Sequence, residues 1–81
     1  MQLKIITQER EVVSTTVSRV VLPGASGQME VLPGHSKLAA LLVKGEVSYF
    51  EEGAEKLDIE GGLCEVADDK ICLLIYGKAA Q

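Results

Sequence analysis

Four groups of residues in this chain are of types that do chemistry. His35 is the single histidine, and Ser36 follows it. An imidazole beside a hydroxyl is the beginning of a base and nucleophile pair. Adjacent side chains on an extended chain point to opposite sides, however, and no third group orients the ring. Cys64 and Cys72 offer thiols, but Glu65, Asp68 and Asp69 stand close by in sequence. Negative charge raises a thiol pKa and suppresses the thiolate. Glu51 and Glu52 form a carboxylate pair at a predicted hairpin tip, where solvated acids are ordinary. Gly61-Gly62 would cradle a phosphate only at the start of a helix, and no helix is predicted there. A metal site asks for about four ligands, which one histidine and two distant cysteines do not supply. These residues predict no catalytic group, no metal site and no cofactor.

The elements that hold these residues are small and mostly aliphatic. The chain has 81 residues, enough for one domain spanning residues 1–81. A chain of this size buries only about 60% of its unfolded surface, so it gains from a partner. Hydrophobic residues make up 47%, which excludes disorder. The aromatics are Tyr49, Phe50 and Tyr76, so the predicted core is built from Val, Leu, Ile and Ala. Net charge is −4, with nine acids and one base between Glu46 and Asp69. A nucleic-acid binder needs a basic face to replace phosphate counterions, so that class is excluded. The acidic half reads as a solvated face. Both cysteines lie in apolar segments and read as reduced thiols, with a disulfide across neighbouring strands as the alternative. The charged start "MQLKIITQERE" predicts no signal peptide, and no run approaches the ~20 apolar residues of a membrane span.

Hydrophobicity repeats with period two, which predicts strands. "LKIIT" is a first strand. Residues 11–22 are rich in Val and Thr and long enough to bend or split around residues 14–16. Residues 24–27 form a turn, and residues 28–32 a short strand closed by Pro33-Gly34. "LAALLV", residues 38–43, is bracketed by turn signals and predicts a buried strand. Residues 46–51 and 56–60 flank a hairpin loop with Gly53, each strand with one wet face. Gly61-Gly62 breaks the chain again. Residues 63–66 and 71–76 flank the turn "ADDK", and the tail "GKAAQ" has nothing to bury. About eight to ten short strands at this spacing predict a β-sandwich or small barrel.

"VLPG" occurs twice, at residues 21–24 and 31–34. A solenoid needs at least about three units of ~20 residues, so this is no repeat architecture. Proline fixes φ and glycine permits positive φ, so each copy predicts a strand end and a turn.

In order, "LKIITQEREVVSTTVSRVVLPGASGQMEVLPGHSKLAALL" and "GGLCEVADDKICLL" resemble the N-terminal domain of the epsilon subunit of rotary F-type ATP synthases. The family motifs T-P-E-R-E-V, L-P-G, L-P-G-H and G-G-x-x-E-V follow one another along nearly the whole chain. The resemblance implies an all-β sandwich of ten strands in two five-stranded sheets. It implies a non-catalytic rotor part of the central stalk that packs on gamma and touches the polar loops of the c-ring. It further implies a peripheral place on the cytoplasmic side of the inner (plasma) membrane, and coupling of proton or sodium flow to ATP synthesis. The alternative class is a free-standing β-sandwich adaptor or ligand-binding module.

By resemblance, Gln28, Met29, Glu30, His35 and Ser36 face the c-ring, and Leu38, Ala40 and Leu42 face gamma. Three departures stand out. The family's Gly-Glu-x-Gly loop is here Gly27, Gln28, Met29 and Glu30, so the acid at position 28 is lost. Residues i and i+2 share a strand face, which lets Glu30 take over that contact. The usual Ala-Pro after the histidine is Ser36-Lys37. Most relatives continue into a C-terminal helical hairpin, which in many inhibits ATP hydrolysis and in some binds ATP. Here the family's L-A-D-T-A is already lost at Ile75-Tyr76-Gly77, which favours a naturally short form over a truncated one; either way the chain is expected to lack the C-terminal helices and those two activities.

Overall fold

The computed structural model describes residues 1–76, and the predicted loose tail at residues 77–81 lies outside the described residues. Seven strands follow one another: β1 (Gln2–Ile6), β2 (Glu11–Thr16), β3 (Arg19–Gly24), β4 (Gly27–Val31), β5 (Leu38–Phe50), β6 (Ala54–Ala67) and β7 (Lys70–Tyr76). They form one sheet in the order β2-β1-β7-β6-β5-β3-β4. All neighbours are antiparallel except β1 and β7. The described residues are all-β, with no helix.

The expected ten strands in two five-stranded sheets are therefore seven strands in one continuous sheet. The difference lies in β5 and β6. Lys44-Gly45 and Gly61-Gly62 look like breaks, yet the ladder runs through them: Val43 pairs with Gly61 and Gly45 with Ile59. Glycine lets a strand bend without leaving its ladder. Gly61 does so at φ +150°, beside the Tyr76 ring. At this bend the inward positions change parity. In β5 they are even up to Leu42 and odd at Val47 and Tyr49. In β6 they are odd at Leu57 and Ile59 and even at Cys64 and Val66. One half of the long hairpin thus joins β7, β1 and β2, and the other joins β3 and β4.

A flat sheet of seven strands would hold its edges about 29 Å apart. Here Val13 of edge strand β2 and Val31 of edge strand β4 share one core cluster, so the sheet folds over on itself. That cluster draws on every strand and is aliphatic apart from Tyr49 and Cys64. Residues 11–22 split at Val17-Ser18 rather than at residues 14–16. Val17 donates its N–H to the Met1 carbonyl at 2.8 Å, and Ser18 donates to that of Phe50 at 2.8 Å. The chain crosses there from the β1 side to the β5 side.

The two Pro-Gly pairs behave differently. Pro23 and Gly24 remain inside β3, paired with Gln28 and Gly27. The β3–β5 register shifts between Val21 and Gly24, and the missing proline N–H falls in that irregularity. Pro33-Gly34 does close its strand. His35 donates its N–H to the Leu32 carbonyl at 3.2 Å, with Gly34 at φ +82°. Proline second and positive-φ glycine third is the residue pattern of a type II turn. Between β6 and β7, Asp68 and Asp69 sit at φ +51° and +61°, as a two-residue I′ hairpin turn requires.

A candidate interaction surface

The structure sets the predicted ring-facing residues on edge strand β4 and in the loop after it. Gln28 and Glu30 are exposed and share the outward face, while Met29 is half-buried against the core. Glu30 already has a partner: its Oε2 lies 2.7 Å from the Arg19 Nε. The Arg19 guanidinium in turn sits 4.4 Å from the Phe50 ring centroid. Glu30 thus meets the geometric condition for replacing an acid at position 28, but its charge is matched within the chain. The pair is exposed on both sides, so it contributes little stability.

His35 and Ser36 lie in residues 32–37, all exposed, between β4 and β5. The His35 ring donates from Nδ1 to the Ser36 carbonyl at 2.8 Å. Imidazole and hydroxyl are not joined to one another. Gly34 donates its N–H to Asp69 Oδ1 at 3.4 Å, tying this loop to the β6–β7 turn.

The structure places the residues expected to face gamma on the inward side of β5. Leu42 is 5% exposed and belongs to the core, Leu38 packs against that core, and Ala40 is half-buried between them. The outward positions of the same strand are Ala39, Leu41 and Val43, so "LAALLV" has one buried face rather than two. Leu41 is 59% exposed and Val43 43%. Leu41 pairs with Leu63, Leu63 with Leu74, and Leu74 with Ile6. Leu63 is 42% and Leu74 41% exposed, so an apolar row crosses β5, β6, β7 and β1 on the outer face. Val43, Gly61 and Tyr76 form the next row. A shallow groove of about 370 Å³ lies along this row between Ile6, Ala39, Leu63 and Leu74.

Sequence reasoning missed this row because an unbroken apolar run carries no polar residue to mark its wet face. The signal was in the partner strand. Glu65 is charged and two residues from Leu63, so both point outward, and register carries that parity to Leu41.

The candidate chemical groups are spread apart. Cys64 is fully buried, and burial pushes its thiol up to about 11, with Cys72 and Glu65 adding to the rise. Such a thiol is inert. Cys64 pairs with inward Leu73 and Cys72 with outward Glu65, so the two free cysteines lie on opposite faces. This disposes of the disulfide alternative. Glu51 accepts a hydrogen bond from the Thr15 hydroxyl at 2.7 Å, and Glu52 is exposed beside it. Among the described residues no three His, Cys, Asp or Glu side chains cluster to hold a metal ion. Among the described residues no helix is long and apolar enough to cross a membrane.

Residues 1–77 match the family described as ATP synthase, Delta/Epsilon chain, beta-sandwich domain. The chain belongs to that family. Among curated members, the ATP synthase epsilon chain of Pelotomaculum thermopropionicum is 39% identical over 74 residues, covering 90% of this chain and 55% of the relative. That of Solibacter usitatus is 37% identical over 75 residues, covering 91% and 56%. The chain spans just over half the length of these epsilon chains. Two solved structures share the fold. A chain of the Euglena gracilis mitochondrial ATP synthase (OSCP/F1/c-ring) superposes with TM-score 0.89 at 22% identity, over 96% of this chain and 51% of the other. A chain of the Tetrahymena thermophila mitochondrial ATP synthase central stalk/c-ring gives TM-score 0.80 at 12% identity, over 94% and 63%.

Proposed function

We propose that this chain is a rotor part of the central stalk of an F-type ATP synthase, joining gamma to the c-ring and taking no part in the chemistry itself. The observation that carries this reading is the outer apolar row Leu41–Leu63–Leu74–Ile6. A small monomeric domain rarely leaves so continuous an apolar strip in water, and such strips mark protein contacts. Gamma is the partner that fits it, because a stable rotor joint needs a dry, apolar interface core. The polar loop at residues 32–37, with Gln28 and Glu30 of β4, stands at the end of the strands and faces the polar loops of the c-ring. One rigid sandwich then holds two unlike contacts in fixed relation, as torque transfer requires. The role asks for no cofactor. Through its partners it lies peripherally at the cytoplasmic side of the membrane, where proton or sodium flow turns the ring.

The test is assembly. Co-expressed with gamma and the c-ring, the chain is expected to co-purify with both. Leu63→Glu should abolish capture by gamma while the isolated chain keeps its strand spectrum. A cysteine at His35 should crosslink to the c-ring loop. Crosslinks running only to the catalytic hexamer, or a chain absent from the assembled complex, would overturn the reading.

A further inference from the structure

Residues 32–37 are six exposed residues in a row between β4 and β5. The non-ladder hydrogen bonds of this segment divide into two kinds. His35 N–H to Leu32 and His35 Nδ1 to Ser36 are internal to the loop. Gly34 N–H to Asp69 Oδ1, at 3.4 Å, is the one bond among the described residues that ties the loop to the body of the domain. It completes the donors of the turn: Pro33 has none, His35 is used within the turn, and Gly34 is taken by Asp69. The acceptor is itself held. Asp69 sits in the tight β6–β7 turn at φ +61°, and its carbonyl accepts the Gln2 N–H at 3.0 Å.

We propose that Asp69 is a positioning residue: its carboxylate pins the Pro33-Gly34 turn to the β6–β7 turn and so sets where His35 and Ser36 are presented. What they are presented to rests on the ring-facing reading above; the pinning does not. An aspartate is suited to both tasks, since it tolerates positive φ and supplies a charged acceptor.

Two substitutions separate the carboxylate from the turn. Asp69→Gly keeps the turn, because glycine takes positive φ freely, but removes the acceptor. Asp69→Asn keeps an acceptor oxygen and also tolerates this backbone. Amide hydrogen exchange on the whole chain is the readout. In Asp69→Gly, the Gly34 amide is expected to exchange about fivefold faster or more, the worth of one such bond, while amides of the β5–β6 ladder keep their rates. Asp69→Asn should restore most of the protection. Unchanged Gly34 exchange in Asp69→Gly overturns the proposal. So does a rise shared equally by the ladder amides, which would make Asp69 a general fold residue. A second arm measures crosslinking from a cysteine at His35 to the c-ring loop, expected to fall in the Asp69→Gly background. If that crosslink fails even with Asp69 present, the ring-facing reading falls, and the exchange result still decides the pinning.

Discussion

At Gly62 the backbone of β7 leaves no room for a side chain. A Cβ there would stand 3.0 Å from the Ile75 Cα and press on the Leu74 carbonyl, both backbone atoms of a paired strand. Neither can swing away as a side-chain tip could. Gly62→Ala is expected to cost about 1–3 kcal/mol, the usual penalty of overpacking, seen as a lower denaturation midpoint at unchanged m-value. A second residue-scale effect concerns Cys64. Its folded pKa stands at about 11 against an ordinary 9.0. The unfolded chain therefore loses this proton first, so stability is complete below pH 9.0 and falls as pH climbs towards 11. Tyr49 is raised by burial first, then by Glu55 and Glu51, and extends the loss to higher pH. Denaturation midpoints across an alkaline series should fall for the native chain, and Cys64→Val should flatten the first part of that fall. Equal falls in both would assign the loss to other groups.

At the scale of elements, parity along β5 makes a sharp contrast between neighbours. Leu42→Ala empties an inward position and is expected to cost about 2–5 kcal/mol. Leu41→Thr alters an outward one, keeps a strand-favouring residue, and should stay within about 0.5 kcal/mol in the isolated chain. Reversed magnitudes would mean that the inward face has been misassigned. The same strand shows what was legible in the sequence. Alternation in β1 and in the loop-proximal half of the long hairpin places Leu3, Ile5, Val47, Tyr49, Leu57 and Ile59 inward, as the structure has them. The Asp68-Asp69 turn was equally readable, because few residues other than Gly, Asn and Asp accept its geometry. Where the signal was mute, expectation and structure part. "LAALLV" has no polar residue to declare its wet face, so Leu38, Ala40 and Leu42 look as fit for a partner as Leu41. Glycine pairs signal a bend and a break with the same letters, and only the ladder through Val43 and Gly61 decides for the bend. The proposed contacts to gamma and the c-ring leave no mark in strand periodicity, and in the sequence they rest on the family motifs alone.

For the molecule as a whole, the distribution of charge bears on how it docks. Nine of the acids fall between Glu46 and Asp69, yet the row Leu41, Leu63 and Leu74 is free of charge. Beyond the bend the outward residues of the same hairpin turn polar: Glu46 opposes Asp58, and Lys44 lies 3.9 Å from Glu60. One outer half is therefore suited to a dry contact and the other to water. If gamma docks on the apolar half, most of the binding free energy comes from area removed from water, at about 25 cal/mol per Å². That origin has two signatures. Binding should show a clearly negative heat-capacity change, because burying apolar surface always does. It should also weaken little as salt is raised, because screening acts on exposed charges and few lie within the contact. Calorimetric titration of gamma with this chain, at several temperatures and salt concentrations, reads both. Leu63→Glu should remove the heat-capacity signal together with the affinity, whereas Glu46→Gln on the far side of the bend should leave both near their native values. A steep salt dependence that disappears in Glu46→Gln would move the interface to the acidic half and overturn the assignment of the apolar row.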